Sequence, residues 1–123
     1  MHVRNFAACA VFLLTSCAPH RRAEPQLTGD ELQLEVANNN WSDVIIYMLH
    51  DGVRTRFIAV TAARSATATI PTRYVSSNGT VQILVHRIGG NDEYVSPVVS
   101  VRLSKTVALT LESNLARSSL GVW

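Results

Sequence analysis

The sequence predicts an all-β protein, a single antiparallel β-sandwich of about seven strands over residues 31–123, preceded by an export signal helix and a flexible tether. Three observations predict it. Apolar and polar residues alternate with a period of two through most of that stretch. Clusters of Gly, Asn, Asp and Ser interrupt the alternation every eight to twelve residues. No long segment carries the spacing of an amphipathic helix.

The strands follow in order. Leu32, Leu34 and Val36 alternate with Gln33, Glu35 and Ala37, the pattern of a strand with one covered face. Asn38-Asn39-Asn40 reads as a turn, because asparagine side chains bond their own backbone. Val44 to Leu49 is apolar at every position, as a central strand covered on both sides would be. Asp51-Gly52 then predicts a tight hairpin, since a type I′ turn needs positive φ at both central residues. In the return strand, Arg54 and Arg56 share a parity with Ile58 and Val60, so a bulge or twist must intervene. Ala66 to Ile70 is a short strand stopped by Pro71. Ser76-Ser77-Asn78-Gly79 turns the chain into a strand from Thr80 to Ile88, with Val81, Ile83 and Val85 on one face. After the Gly89-Gly90-Asn91-Asp92 loop, Tyr94-Val95 leads to Pro97. Val99, Val101 and Leu103 form one apolar parity, and Val107, Leu109 and Leu111 another. This arithmetic fits a sandwich of the immunoglobulin-like or prealbumin-like kind. The absence of a Cys…Trp…Cys pattern argues against a true immunoglobulin domain, and a small closed barrel is the alternative.

The first residues follow a different logic. Arg4 precedes an apolar run from Phe6 to Leu14, about half of the ~20 residues that span a bilayer. Leu14-Thr15-Ser16-Cys17 closes it. This motif resembles the lipobox of bacterial lipoproteins, in which an aliphatic residue and two small residues precede an acceptor cysteine. The resemblance covers residues 1–17 and implies cleavage between Ser16 and Cys17, with acyl chains on Cys17. Ala18 stands where an aspartate often retains such proteins in the inner membrane, so the implied location is the outer membrane. Two or three acyl chains make an effectively permanent anchor, where one gives only marginal binding. Residues 17–30 then read as a tether rich in proline and charge, with Arg21-Arg22 close to the anchor. Fully extended, Ala18 to Asp30 reaches about 45 Å.

The mature part also resembles small β-sandwich lipoproteins of environmental bacteria. Asn40-Trp41-Ser42-Asp43, Ile70-Pro71 and the terminal Ser118-Ser119-Leu120-Gly121-Val122-Trp123 carry that likeness. The group has no assigned activity, so the resemblance speaks to fold.

Composition narrows the function classes. Removing residues 1–16 leaves 107 residues, a size for one core, with roughly two-thirds of the unfolded surface buried. It also removes Arg4, leaving 10 basic residues against 9 acidic ones, too even a balance for a nucleic-acid footprint. Cys9 leaves with the signal and Cys17 is consumed by lipid, so the domain must be stabilised by its core without a disulfide.

Chemistry-bearing motifs are scarce. His50 sits beside the Asp51-Gly52 turn and His86 lies mid-strand, and no serine occupies a Gly-x-Ser-x-Gly elbow. There is no His or Cys cluster of metal-ligand spacing, and no cofactor is implied. Two features suit a binding surface. Trp41 follows three asparagines and Trp123 ends the sequence, so each ring is either a partner contact or a cover for an open end of the sandwich. Arg54 and Arg56, with Arg64 and Arg73, are candidates for a basic spot. The sequence therefore favours a non-catalytic, lipid-anchored envelope module that binds a protein or another envelope component. A structural subunit of a larger complex is the second reading, motivated by the doubly apolar 44–49 segment. A small periplasmic hydrolase using His50 or His86 is the third. The oligomeric state is not encoded in these patterns.

Overall fold

The computed structural model describes residues 31–123. The predicted signal segment, the tether, and with them Ser16 and Cys17 lie outside the described residues. Among the described residues nine strands form: β1 (Leu32–Asn38), β2 (Val44–His50), β3 (Val53–Val60), β4 (Ser65–Ile70), β5 (Thr80–Arg87), β6 (Glu93–Val95), β7 (Val99–Ser100), β8 (Thr106–Leu111) and β9 (Ser119–Val122). They make two sheets, ordered β4-β1-β8-β9 and β3-β2-β5-β6, with β7 also paired to β5. The arrangement is an all-β sandwich, not a closed barrel.

The strands form where the alternation placed them, because the pleat turns alternate residues to opposite faces. In β1, Leu32, Leu34, Val36 and Asn38 point inward. In β8, Val107, Leu109 and Leu111 do the same. Across the gap they meet Val44, Ile46 and Met48 of β2 and Val81, Ile83 and Val85 of β5. Burying a side chain of this kind is worth about 1.5–3 kcal/mol, and this layer is the main source of stability.

The Asp51-Gly52 turn has φ of 50° and 75°, the geometry its sequence requires. The expected irregularity in β3 also forms. Ile46 pairs with Ile58 and Tyr47 with Arg56, leaving Phe57 as the extra residue of a bulge. Phe57 and Ile58 both pack against the core, and Phe57 meets Tyr74 edge-on at 6.1 Å between ring centres. The bulge therefore lets Arg54 and Arg56 face outward while the later half of the strand faces in.

Three expectations are corrected. β1 and β8 pair in parallel, so the sandwich is not wholly antiparallel. The two strands are far apart in sequence, and no hairpin dictates their relative direction. Leu103 does not continue the strand parity of Val99 and Val101. The chain turns after Val101, with Ser104 N–H donating to Val101 O at 3.2 Å, and Leu103 is fully exposed. Finally, the terminal segment forms the edge strand β9, which its short run with a central glycine did not announce.

The path of the chain gives the sandwich two distinct ends. Residue 31 enters at one, together with the turns at 51–52, 71–79 and 101–105 and with Trp123. The other end collects the loops at 39–43, 61–64, 88–92 and 112–118. These are called here the entry end and the far end.

Candidate functional site

At the far end the β1–β2 loop is built around two buried amides. Asn38 continues the inward parity of β1 and is almost wholly enclosed. Its Nδ2 donates to the carbonyls of Ser42 at 3.1 Å, Val60 at 3.3 Å and Thr61 at 3.1 Å, and its Oδ1 accepts Asn40 N–H at 3.0 Å. Asn40 repeats the device two residues later. Its Nδ2 donates to Glu112 O at 3.1 Å and Ser113 O at 3.0 Å, while its Oδ1 accepts Ser42 N–H at 3.0 Å. One asparagine thus ties the loop to the β3–β4 connection, and the other ties it to the segment after β8. Buried amides with satisfied partners fix a backbone in one conformation.

Trp41 lies between Asn40 and Ser42, whose carbonyl and N–H these two amides hold, and is 85% exposed. Asp43 extends the framework, its Oδ1 accepting Ala62 N–H at 2.8 Å and its carbonyl accepting Ile88 N–H at 2.9 Å. Ile88, on the adjoining loop, is also an exposed apolar side chain. The result is a large aromatic ring held out by a braced loop. A tryptophan presented this way loses little conformational freedom when a partner covers it, the property of an interface anchor.

The outer face of the β3-β2-β5-β6 sheet carries the arginines. Arg54 Cζ lies 5.0 Å from the centre of the Tyr47 ring. Its Nη1 donates to Glu93 Oε1 at 3.0 Å, and His86 Nδ1 lies 3.2 Å from the same oxygen. Leu84, between Tyr47 and Val95, is nearly buried although it faces outward. Ile45, Tyr47 and Leu49 are half-buried on this face. The doubly apolar β2 is therefore covered outside by long side chains of its own sheet. Each contact is modest, about 0.5–1 kcal/mol for an exposed cation–π pair and about 0–1 for a partly exposed ion pair. Together they hold Arg54 flat across the sheet, with Arg56 exposed beside it.

The predicted contacts are not all brought together. Arg54 and Arg56 do share one outer face. Trp41 stands at the far end and Trp123 at the entry end, so they cannot form one site. Neither covers the sandwich interior: Trp123 is 66% exposed. The two rings instead mark opposite poles. His50 has Asp51 Oδ2 at 3.1 Å from its Nε2, within the hairpin turn.

The sequence marks Asn38 and Asn40 only as turn residues and gives no site role to Tyr47 or Glu93. A signal for Asn38 was present. The inward positions 32, 34 and 36 continue in steps of two to 38, which places the Asn38 amide on the buried side, whereas Asn40 lies in the bend beyond the strand. Glu93 had no such signal, since its partners Arg54 and His86 are distant in sequence.

No family model matches the chain, and no curated protein matches it. Among solved structures, the fold is similar to an NMR structure of a protein from Eubacterium rectale. The identity is 13%, the match covers 80% of this chain and 94% of that one, and the TM-score is 0.48.

Proposed function

We propose that this chain is a lipid-anchored, non-catalytic binding module of the bacterial cell envelope, and that Trp41 is its principal partner contact. The anchor rests on Leu14-Thr15-Ser16-Cys17, with lipid on Cys17. The binding role rests on one observation: Asn38 and Asn40 bury their amides to hold Trp41 outward with 85% of it in solvent. A fold that needed only a turn here has no use for an exposed indole at that position. Arg54 and Arg56 provide a separate, charged contact area on the adjoining sheet face. The partner is a protein or other envelope component presented to the far end.

The test is a photocrosslinking amino acid placed at position 41 of the full chain in native membranes, with Thr67, on the outer face of β4, as the comparison site. The expected result is a discrete adduct from position 41 and none from position 67. Adducts of equal, diffuse yield from both positions, or none from position 41, would sink the binding role. Washing the membranes of a Cys17→Ala variant tests the anchor separately. Retention equal to that of the unsubstituted chain would remove it.

A further inference from the structure

The entry end carries a second exposed apolar group, and its composition differs from that around Trp41. Leu103 is 100% exposed at the tip of the β7–β8 turn. The turn is fixed by backbone bonds: Val101 N–H to Gly79 O at 2.8 Å and Ser104 N–H to Val101 O at 3.2 Å. The same turn is joined to the end of the chain. Lys105 N–H and Thr106 N–H both donate to Trp123 O, at 2.9 and 3.0 Å, and Trp123 N–H returns to Thr106 O at 3.1 Å. A leucine tip and a largely exposed indole therefore sit on one hydrogen-bonded unit.

Basic residues flank the tip. Arg102 and Lys105 bracket Leu103 and Ser104 in sequence, and both are exposed. Arg73, stacked on Tyr74 at 4.7 Å, lies at the same end. Among the described residues, the acidic ones at this end are Glu31 and Asp51, and Asp51 Oδ2 lies 3.1 Å from His50 Nε2. The first described strand also begins here, with Gln33 N–H donating to Lys105 O at 2.9 Å. The segment that carries Cys17 therefore joins the described domain at this end.

We propose that the entry end is a membrane-docking surface: Leu103 and Trp123 enter the interfacial layer of an anionic bilayer, with Arg102 and Lys105 against the headgroups. Tryptophan is favoured at that depth, a fully exposed leucine gains by leaving water, and basic side chains are drawn to anionic lipid. The location rests on the lipid-anchored reading, because an anchor at Cys17 brings this end to the bilayer first. Docking then sets an orientation. The seven residues of β1 span roughly 23 Å, so Trp41 faces away from the membrane at about that height. The two tryptophans take opposite roles, one towards lipid and one towards the partner.

The chain contains only two tryptophans, which makes the test direct. Full-length Trp41→Phe and Trp123→Phe proteins are purified from membranes and reconstituted in phosphatidylglycerol-containing vesicles with brominated acyl chains. Trp123 is expected to shift to the blue and to be quenched roughly twofold, while Trp41 is unaffected. Adding Leu103→Asp to the Trp41→Phe chain should abolish the quenching with the far-ultraviolet dichroism unchanged, since Leu103 has no packing to lose. Unquenched Trp123 in protein that floats with the vesicles overturns the docking surface, as does stronger quenching of Trp41 or indifference to Leu103→Asp. Flotation of the unsubstituted chain against Cys17→Ala reads the anchor independently. If neither floats, the anchor reading fails, and docking is read on the same chain mixed with excess vesicles. Unquenched Trp123 there overturns it.

Discussion

The two ends of the sandwich each display a tryptophan, but they hold it by different means. At the far end, the buried side-chain amides of Asn38 and Asn40 knit three connections into one framework beneath Trp41. At the entry end, the turn bearing Leu103 is held by backbone bonds to Gly79 and Trp123 and by Arg102, whose Nε donates to Asn78 O at 2.9 Å, and an open cleft of about 760 Å³ lined by Leu32, Ile70, Pro71 and Val75 adjoins it. The far end is therefore stiff and specific, as suits recognition of a defined surface. The entry end presents an apolar tip and basic flanks beside an open cleft, as suits a fluid surface. Buried polar networks are costly when incomplete, so the first end should be sensitive to substitution and the second tolerant.

The largest effect follows from breaking the far-end framework. Asn38→Ala removes three donated bonds and one accepted bond from a closed environment, and should destabilise the domain by about 2–4 kcal/mol in urea unfolding. Asn40→Ala should cost less, and the double variant should fall short of the sum, because Asn38 Oδ1 holds the Asn40 backbone. Strict additivity would mean that the two amides act as separate clamps, which would weaken the case for one rigid platform under Trp41.

A smaller effect sharpens the entry end. Gly79 has φ of +70°, and a Cβ there would collide with Arg102 Cγ. Gly79→Ala should cost about 1 kcal/mol through backbone strain and a displaced arginine, measured by thermal unfolding. A value matching the Asn38→Ala loss would show that the entry end is as tightly organised as the far end.

The smallest effect belongs to neither end. Burial raises the Tyr94 hydroxyl above its ordinary value of 10.0. The folded state thus favours the neutral phenol. Its contribution is fully present below the ordinary value and is lost as pH rises through the folded one. Tyr94→Phe should flatten the alkaline fall in stability seen by denaturant titration above pH ~10. An unchanged slope would assign that fall to other groups.

Much of the fold was legible because its signals are local. Alternation in β1, β5 and β8 fixes which residues point inward, and Asp51-Gly52 fixes a hairpin that few other residue pairs can make. The parity conflict between Arg56 and Ile58 announced a bulge or twist, and the pairing of β2 with β3 placed it at Phe57. Leu103 was misread because parity continues in sequence even where the chain turns. Only the turn bond from Ser104 N–H to Val101 O shows that the strand has ended. Trp41 and Trp123 could be singled out by type, but whether each ring lies in or out depends on what packs beneath it.

The sequence by itself determined the period-two strands, the turn chemistry, the Asp-Gly hairpin and the shared parity of Arg54 with Arg56, because each follows from interactions between near neighbours. Only the tertiary structure decided that β1 runs parallel to β8, that Glu93 joins Arg54 to His86, and that the two tryptophans stand at opposite poles. Those facts depend on contacts between residues dozens of positions apart. Such contacts arise when the two sheets close on a shared core, and no local pattern in either segment encodes the other.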